Sequence, residues 1–381
     1  MSVKSYKNVL FITRWYPSES DPMLGLFVKN HAIAASMAQY KITVAYVSPS
    51  KKTAINNLWY TVTSEENLTE VIVYYNPKKF YSKLLAIIAW IKAIKLAFKV
   101  SGKPSLIHSH ILTRAGLISA LLAKWYHIPY VITEHWSRYF TENDGYHGVI
   151  RKLLTRYVIN HSSSITVVSE RLYNAMKLKG LDFEFNLLPN VVNTKIFDIS
   201  KEHWPVFTFI SITCFEEKSK NLKLLIDSAN RLRSSGLNFE LVLVGDGIDR
   251  SLIEEYSKNV KFDVLFKGTL TSKETADVLK KSHCLVLSSN YETFGIVVYE
   301  AMASGLPVIT TDVADLKSLI NSSNGLIVPV GDEAQLYQAM KKVMENYSNF
   351  DPEKIRMGII NKCSLEAVSN SLDELYKSVM R

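Results

Sequence analysis

Short apolar, β-branched runs alternate with helical patterns along almost the whole of this 381-residue chain. Strand–helix alternation builds parallel sheets through right-handed crossovers, and near-continuous Val/Ile/Leu runs suit strands that are covered on both faces. In the first half, the predicted strands are 8–13, 42–48, 71–75, 106–110, 130–135 and 164–169, and the helices between them include 26–39, 82–99 and 113–126. The pattern therefore predicts an α/β fold.

The alternation starts again in the second half. The predicted strands there are 207–213, 239–247, 264–268, 283–289, 307–311 and 325–330, with helices at 221–234, 249–257, 272–281, 295–304 and 333–346. A chain of this length exceeds one ordinary core. We therefore expect two doubly wound, Rossmann-like domains, 1–195 and 205–360, that face a common cleft. Their joint falls near 193–206, and a C-terminal helix within 361–381 is expected to pack back across it.

Several sequence features indicate a cytoplasmic protein. No apolar run reaches the ~18 residues that span a bilayer. The first residues lead directly into a strand-like run, without a signal-peptide pattern. The three cysteines, Cys214, Cys284 and Cys363, are far apart and lack metal-ligand spacing, as expected of reduced cytosolic thiols.

Basic charge is concentrated in the first half of the chain. The net charge is +9, of which residues 1–200 carry +12 (24 Lys and Arg against 12 Asp and Glu). Residues 71–133 contain nine Lys or Arg and no acidic residue. This asymmetry favours an anionic partner, such as a membrane surface or a phosphate-bearing substrate, although a merely solvated basic surface is the alternative. Nucleic acid is not expected, because RNA-binding motifs and a stacking platform of aromatic residues are missing.

The segment 81–99 lies in this acid-free window. As a helix it places Lys92, Lys95 and Lys99 on one side and a row of leucine and isoleucine on another. A helix packed on the sheet explains this pattern. We also hypothesise that it docks the first domain onto anionic lipid at the inner face of the plasma membrane.

Two carboxylates stand eight residues apart in SSNYETFGIVVYEAMASGLPVI (288–309). Open parallel sheets bind ligands beyond the carboxyl ends of their strands, and a helix that opens near 293–295 would present free N–H groups to a phosphate there. Carboxylates are suitable partners for the vicinal hydroxyls of a sugar. An ordinary capping or surface pair is the alternative. It explains Glu292 better than Glu300, whose neighbours are apolar.

This stretch resembles the retaining, nucleotide-sugar-dependent glycosyltransferases of family 4, which have the GT-B fold. The resemblance covers most of the chain. Further matching segments are RWYPSESDPMLGLFVKNHA (14–32), ITEHW (132–136), LLPNVVNTKIF (187–197), FISITCFEEKSKNLKLLIDSANRL (209–232), LVLVGDG (241–247), KGTL (267–270) and GLIVPVGD (325–332). Each segment is a weak signal by itself, but together, in this order and spacing, they are a strong one.

By this resemblance the second domain binds the donor and the first binds the acceptor. Glu300 would hold the ribose hydroxyls, Glu292 would contact the donor sugar, and Lys220 would neutralise the diphosphate leaving group. A fixed cation there stabilises charge that develops in the transition state. Backbone N–H groups near the diphosphate or sugar would come from Phe294, Gly295, Ile296 and Val297.

In the first half, the resemblance and the strand ends indicate five residues. His135 would face the donor sugar and the cleft, although a structural role is the alternative. Gly25 would let the backbone approach the donor phosphates, or it is a plain turn glycine. The remaining candidates for the acceptor side or the cleft are Arg14, His110 and Asn190.

The chain departs from the family pattern at two places. Cys214 stands where the family usually has an arginine that partners the catalytic lysine, and Lys218 is the candidate substitute. Ala314 and Asp315 stand where glycines are usual. An Asp-x-Asp motif is missing, and neither a metal nor another cofactor is expected, because the nucleotide sugar is a co-substrate.

The resulting expectation is a retaining hexosyl-type glycosyltransferase of surface polysaccharide biosynthesis. It would move a sugar from a nucleoside-diphosphate sugar to a hydroxyl of a glycan or lipid-linked glycan. The alternatives are a nucleotide-sugar epimerase of GT-B fold and a non-catalytic relative that binds nucleotide sugar.

Overall fold

The computed structural model describes residues 6–50, 57–112, 114–200 and 202–380. The predicted domain limits also include 1–5, 51–56, Thr113, Lys201 and Arg381, which lie outside the described residues. Within the described part, the chain forms two sheets, one of eight strands and one of six.

The first sheet is built from residues of the first half of the chain. Its strands are β1 (Asn8–Thr13), β2 (Lys41–Pro49), β3 (Leu58–Glu65), β4 (Leu68–Tyr75), β5 (Leu106–His110), β6 (Tyr130–Glu134), β7 (Ser164–Val167) and β8 (Asn186–Leu187). They stand in the order β3-β4-β2-β1-β5-β6-β7-β8. All neighbours are parallel except β3 and β4, which pair antiparallel.

Strand β3 is absent from the sequence prediction, and its exposure explains why. It lies at the sheet edge and has no fully buried residue. An edge strand with polar, exposed side chains lacks the apolar run by which a buried strand is recognised.

Five α-helices cover the first sheet: α1 (Leu26–Met37), α2 (Ser82–Ser101), α3 (Arg114–Tyr126), α4 (Val149–Asn160) and α5 (Glu170–Leu178). The buried residues of α2, α3 and α4 share one core, whereas those of α1 belong to another. Helices α2, α3 and α4 therefore lie on one face of the sheet and α1 lies on the opposite face.

The second sheet is entirely parallel, in the order β11-β10-β9-β12-β13-β14. Its strands are β9 (Thr208–Ile212), β10 (Glu240–Val244), β11 (Val264–Gly268), β12 (Cys284–Leu287), β13 (Val308–Thr311) and β14 (Gly325–Val328). The helices are α6 (Glu217–Lys220), α7 (Leu222–Ser234), α8 (Arg250–Ser257), α9 (Ser272–Lys281), α10 (Ile296–Ala303), α11 (Glu333–Glu345), α12 (Pro352–Cys363) and α13 (Leu365–Val379).

The last helix, α13, packs against α1 of the first domain. Its Tyr376 is fully buried, and the Tyr376 hydroxyl lies 2.7 Å from Nδ1 of His108 in β5. The Tyr40 hydroxyl, just beyond α1, donates to Asp373 over 2.9 Å. The chain thus crosses between the domains twice, once near 193–206 and once before α13.

Strand order reverses at one place in each sheet. In the first sheet β1 stands beside β2 and β5, and in the second β9 stands beside β10 and β12. Ligands of doubly wound sheets bind outside the carboxyl ends of the strands at such switch points. The loops after β1, β5, β9 and β12 are therefore the places to look for a site.

Candidate active site

The loop after β12 is fastened to the short helix α6 that follows β9. The amide N–H of Asn290 donates to the carbonyl of Ser219 over 2.8 Å, and its side-chain amide donates to the carbonyl of Lys218 over 2.9 Å. The Ser288 hydroxyl donates to the carbonyl of Lys220 over 2.9 Å. These bonds hold Lys220 at the switch point of the second sheet.

Lys220 and Glu292 form an ion pair across this junction. Lys220 Nζ lies 2.6 Å from Glu292 Oε1, and the two side chains are only 15% and 14% exposed. The same carboxylate oxygen accepts a hydrogen bond of 2.9 Å from the Ser289 hydroxyl. Burial acts to lower the pKa of Lys220, but the negative charge of Glu292, with smaller effects of Cys214 and Glu216, outweighs it and raises the pKa. The site therefore contains a fixed, fully protonated cation.

Helix α10 begins beside this pair at a glycine. Gly295 is the N-cap residue in a left-handed conformation, with φ 74° and ψ 48°, which L side chains adopt only at a cost. The first hydrogen bond runs from the Val298 N–H to the Gly295 carbonyl. The N–H groups of Ile296 and Val297 have no acceptor among the described residues. Free amides at a helix start suit an anionic ligand.

Phe294, which precedes Gly295, packs against helix α10. It is buried, and its ring stacks on that of Tyr299, with centroids 4.2 Å apart. The helix ends before Gly305, whose φ of 80° is the left-handed conformation that commonly terminates a helix.

Glu300 lies within α10 and is surrounded by buried residues of its own helix, including Val298, Ala301 and Met302. Desolvation raises the pKa of its carboxyl to about 8. The carboxylate has no hydrogen-bond or ion-pair partner among the described residues, and it keeps an intermediate exposure. It can therefore accept hydrogen bonds from a ligand that reaches α10.

Cys214 and Lys218, two other predicted residues of the segment after β9, differ in position. Cys214 lies close enough to Lys220 and Glu292 for their charges to affect its thiol, whose pKa is raised chiefly by desolvation. Lys218 is exposed, and its ammonium makes no ion pair within the described ranges. The structure therefore brings Cys214, Lys220 and Glu292 together, whereas the role of Lys218 stays a prediction.

Across the cleft, the first domain contributes a group of buried histidines. Nδ1 of His110, in β5, lies 3.1 Å from Nε2 of His135, just after β6. His31, in α1, donates from Nε2 to the carbonyl of Pro189 over 2.8 Å. The His108 ring stacks on His110 with centroids 4.2 Å apart. His108 is the weaker candidate of the two histidines in LIHSH (106–110), whereas His31 extends the group and no local motif in the sequence identifies it.

These imidazoles are neutral at ordinary pH. Desolvation, with smaller effects of neighbouring histidines, holds the pKa of His110 and of His135 well below the usual value, and burial lowers that of His31 to about 4. One ring nitrogen of each of these three has no partner among the described residues. Ligand atoms of the three lie within 4.8 Å of one another, so the cluster is compatible with either polar substrate groups or a metal ion.

The remaining predicted residues occupy the same edge of the first domain. Asn190 is 7% exposed and lies beside His135, where its side-chain amide acts against the burial that lowers the pKa of that imidazole. The Arg14 guanidinium lies over the Trp136 ring, 4.6 Å from its centroid. At Gly25, with φ 73°, an added Cβ would lie 2.4 Å from the backbone of Trp15. This contact explains the glycine by packing, and a contact with donor phosphate stays a prediction.

The domains are joined across the cleft by hydrogen bonds at the start of α5. Asp315, from the second domain, accepts from the N–H groups of Glu170 over 2.6 Å and Arg171 over 3.0 Å. The Ser169 hydroxyl donates to the carbonyl of Thr293 over 2.5 Å. We call these three contacts the interdomain latch. The two contacts of Asp315 give its carboxylate a physical role at a position where the family usually has glycine.

A cavity of about 690 Å³ lies between the domains beside the latch. Its lining includes Phe294 and Tyr299 of the α10 region, Pro189 of the first domain, and Ala314 with Asp315. A cavity of this size accommodates a drug-sized ligand. Phe294 and Tyr299 place this cavity beside α10, but its lining does not include Lys220, Glu292 or Glu300.

Solved structures with the same architecture cover nearly all of the chain. Sucrose-phosphate synthase from Thermosynechococcus elongatus superposes with a TM-score of 0.74 at 16% identity, over 98% of this chain and 99% of that one. HepE of Anabaena, in complex with UDP, gives a TM-score of 0.71 at 13% identity, over 98% and 100%. These similarities show the GT-B fold, two parallel-sheet domains around a cleft.

Comparisons of sequence give the family. The model of Glycosyltransferase Family 4 matches residues 26–196, and that of Glycosyl transferases group 1 matches residues 205–346. The putative teichuronic acid biosynthesis glycosyltransferase TuaC of Bacillus subtilis (strain 168) is 25% identical over 367 residues, 88% of each chain. A GDP-mannose-dependent alpha-mannosyltransferase of Mycobacterium tuberculosis is 39% identical over 108 residues, 28% of this chain and 27% of its own. The chain belongs to the family 4 glycosyltransferases.

Proposed function

We propose that this glycosyltransferase moves a hexosyl group from a nucleoside-diphosphate sugar to a hydroxyl of a glycan or lipid-linked glycan, with retention of configuration. The observation that carries the proposal is the Lys220–Glu292 pair beside the free amides and unpaired carboxylate of α10. A protonated cation, two free N–H groups and a carboxylate correspond to a diphosphate and a ribose.

In the proposed reaction the acceptor attacks the same face of the donor sugar from which the diphosphate leaves. The bond between the anomeric carbon and the diphosphate oxygen breaks, and its electron pair goes to the diphosphate. The acceptor oxygen then bonds to the anomeric carbon, and its proton passes to the departing diphosphate. The ammonium of Lys220 stabilises the negative charge that develops on the leaving group.

Similar proteins support the proposed type of donor and the proposed biosynthetic pathway. Solved structures of HepE contain UDP, UDP with glucose, or UDP-glucose. TuaC, which resembles this chain over most of its length, is named for teichuronic acid biosynthesis. We therefore propose a nucleoside-diphosphate hexose as donor and a surface polysaccharide as the pathway product.

The test begins with a panel of nucleotide sugars screened for thermal stabilisation, because a ligand of the native state raises the melting temperature. The best donor is then incubated with enzyme alone and followed by proton NMR. Slow hydrolysis that first releases the sugar with the anomeric configuration of the donor is expected. Release of the opposite anomer would contradict retention, and conversion into an epimeric nucleotide sugar would identify an epimerase.

We also propose peripheral attachment to the inner face of a membrane through α2. Within the described ranges, every helix is too short or too polar to span a bilayer. Helix α2 buries alanines, including Ala89, Ala93 and Ala97, against the sheet. It exposes the row Leu84, Ile87, Ile88 and Ile91, each more than 40% accessible. Apolar side chains exposed among lysines suit an anionic bilayer surface.

A further inference from the structure

Four arginines from four different segments meet at one cavity in the first domain. The cavity has a volume of about 370 Å³ and lies apart from the donor residues of the second domain. Arg14 follows β1, Arg114 begins α3, Arg138 follows β6, and Arg151 lies in α4. Together with the Trp136 ring, these side chains line the cavity. We call it the arginine pocket.

No carboxylate lines the arginine pocket, and none of its four guanidinium groups forms an ion pair within the described ranges. Arg138 is only 2% exposed, and its Nε has no hydrogen-bond partner there. Burial, and after it the charges of Arg114, Arg138 and Arg151, lowers the pKa of Arg14. Gathering like charges in a half-buried space is costly unless an anion joins them.

The buried carboxylate of Glu134, on the same loop as Trp136 and Arg138, does not supply that anion. Glu134, at the end of β6, is fully buried, and one oxygen accepts from the amides of His135 and Trp136. The other accepts from the amide of Leu112 and the hydroxyl of Tyr139. Both carboxylate oxygens are thus occupied, and within the described ranges the Arg138 guanidinium donates to the Tyr139 hydroxyl alone, over 3.1 Å.

Four aliphatic residues also line the pocket: Leu112, Leu117, Ile150 and Leu154. Helix α4 continues this surface outward, because Val149, Ile150 and Leu153 are 74%, 75% and 58% exposed. Helix α4 lies on the same face of the sheet as α2, whose exposed apolar row was described above. The pocket is therefore amphiphilic, because it combines cationic side chains with aliphatic ones, and the apolar surface continues onto the exposed part of α4.

The arginine pocket also borders the reaction cleft. Trp136 and Arg138 follow His135 directly, and the Trp136 ring contacts both Arg14 and Arg138 at 4.6 and 4.2 Å. Further along the same loop, the ring of Phe140 lies 6.3 Å from that of Tyr291, which precedes Glu292. A ligand anchored by the arginines can thus extend past His135 toward the donor site.

We propose that the arginine pocket binds a phosphoryl group of the acceptor, and that this group joins the acceptor glycan to a long aliphatic chain, so that the acceptor is a glycan linked to lipid through a phosphate or diphosphate. Guanidinium groups bind phosphate oxygens in pairs of hydrogen bonds, and four of them suit a doubly charged group better than a single carboxylate. The aliphatic wall and α4 accommodate the chain. The inference rests on the proposed transfer reaction and specifies its acceptor.

The test uses farnesyl phosphate and farnesol, which share one aliphatic chain and differ in the phosphate, titrated into the full-length protein by calorimetry below their micellar concentrations. The double variant Arg114→Gln/Arg151→Gln removes the two exposed arginines and leaves the buried Arg138 in place. We expect it to bind farnesyl phosphate at least ~10-fold more weakly than the wild type, with farnesol unchanged. The matched control Lys124→Gln/Lys152→Gln removes one charge from each of the same two helices outside the pocket, and should bind as the wild type does.

Two further ligands test whether the pocket binds an acceptor phosphate, free phosphate or a bilayer headgroup. Inorganic phosphate that binds as tightly as farnesyl phosphate would overturn the lipid assignment. In flotation with vesicles of phosphatidylcholine containing phosphatidylglycerol, both double variants should lose binding equally. If only the arginine variant loses vesicle binding, the pocket binds bilayer headgroups, and the acceptor assignment is overturned.

Hydrolysis of the donor without acceptor separates this inference from the proposed reaction. If the wild type hydrolyses donor while the double arginine variant binds farnesyl phosphate normally, the acceptor inference alone is wrong. If no nucleotide sugar is bound or hydrolysed, the proposed reaction is wrong, and the acceptor inference, which depends on it, is overturned too.

Discussion

Lys220 and Glu292 are separated by 72 positions in the chain but by 2.6 Å in space. The sequence marks each of them as a candidate, because each follows a strand of the second series. Their pairing could not be predicted, since it depends on β9 and β12 being neighbours and on the hydrogen bonds of Ser288 and Asn290. A buried ion pair adds little net stability, so its presence is better explained by the chemistry of the cleft.

Removal of the Lys220 ammonium should reduce turnover more than donor binding. We expect Lys220→Ala to lower kcat by ~10²- to 10³-fold, because its anionic partner develops mainly in the transition state. Steady-state kinetics against donor binding by calorimetry will measure this. Lys273→Ala, an exposed lysine in α9, is the control for the loss of a charge. An unchanged kcat in Lys220→Ala would exclude the leaving-group role.

The carboxyl of Glu300 should make the stability of the unliganded protein depend on pH. Its pKa of about 8 lies above the ordinary value, so the folded protein keeps a proton that the unfolded chain loses. Stability therefore falls as the pH rises from the ordinary pKa to about 8. Glu300→Gln removes this dependence and should raise the melting temperature by ~2–5 °C more at pH 9 than at pH 5. Equal shifts at both values would contradict the burial of the charge.

The same substitution should weaken nucleotide binding, which stability alone would not reveal. At pH 9, above the pKa of about 8, Glu300 is ionised, and loss of this charged acceptor for the ribose hydroxyls is expected to cost ~1.5–3 kcal/mol, or ~10- to 150-fold in affinity. Calorimetry with the nucleoside diphosphate of the best donor will measure it. Equal affinities of Glu300→Gln and wild type would rule out the ribose contact.

At the scale of elements, alternation in the sequence predicts the strands of both sheets with the exception of β3 and the two-residue β8. Buried parallel strands carry their own signal in continuous apolar runs, and exposed edge strands do not. The arginine pocket illustrates the same limit. Its four arginines lie in separate loops and helices, and only the order of β1, β5 and β6 brings them together.

Helix α2 should determine vesicle binding through its exposed apolar row. We expect Ile87→Gln/Ile91→Gln to reduce flotation with vesicles containing phosphatidylglycerol several-fold, because two aliphatic side chains no longer enter the interface. The control Leu178→Gln/Ile248→Gln changes two equally apolar, exposed residues outside α2. Equal flotation of both double variants and wild type would remove α2 from membrane attachment.

At the scale of the whole molecule, the latch gives Asp315 a role that the family pattern does not indicate. Its carboxylate accepts two amides at the start of α5, so it is a cap supplied from the opposite domain. Such a contact favours the closed arrangement of the domains. The sequence shows only that a carboxylate replaces glycine, because the position of α5 relative to β13 is a property of the assembled domains.

Loss of the latch carboxylate should open the cleft. We expect Asp315→Ala to shift the balance between closed and open domains by ~1 kcal/mol, and therefore to increase the radius of gyration in small-angle scattering and the KM for donor. Asp277→Ala, an exposed aspartate of α9, is the matched control. An unchanged radius of gyration and KM in Asp315→Ala would show that the latch does not hold the domains closed.

The two chain crossings between the domains lie side by side. The Val192 N–H donates to the carbonyl of Cys363 over 2.7 Å, and Val192 bridges to Ser364 as neighbouring strands do. Arg356 of α12 ties the same place to the carbonyls of Thr194 and Phe197. Because the two connections are bonded to each other at one line, we expect any domain motion to be a rotation about that line and not a sliding movement. In such a hinge rotation, the loops farthest from Val192 would be displaced the most, and the residues around Val192 would hardly move.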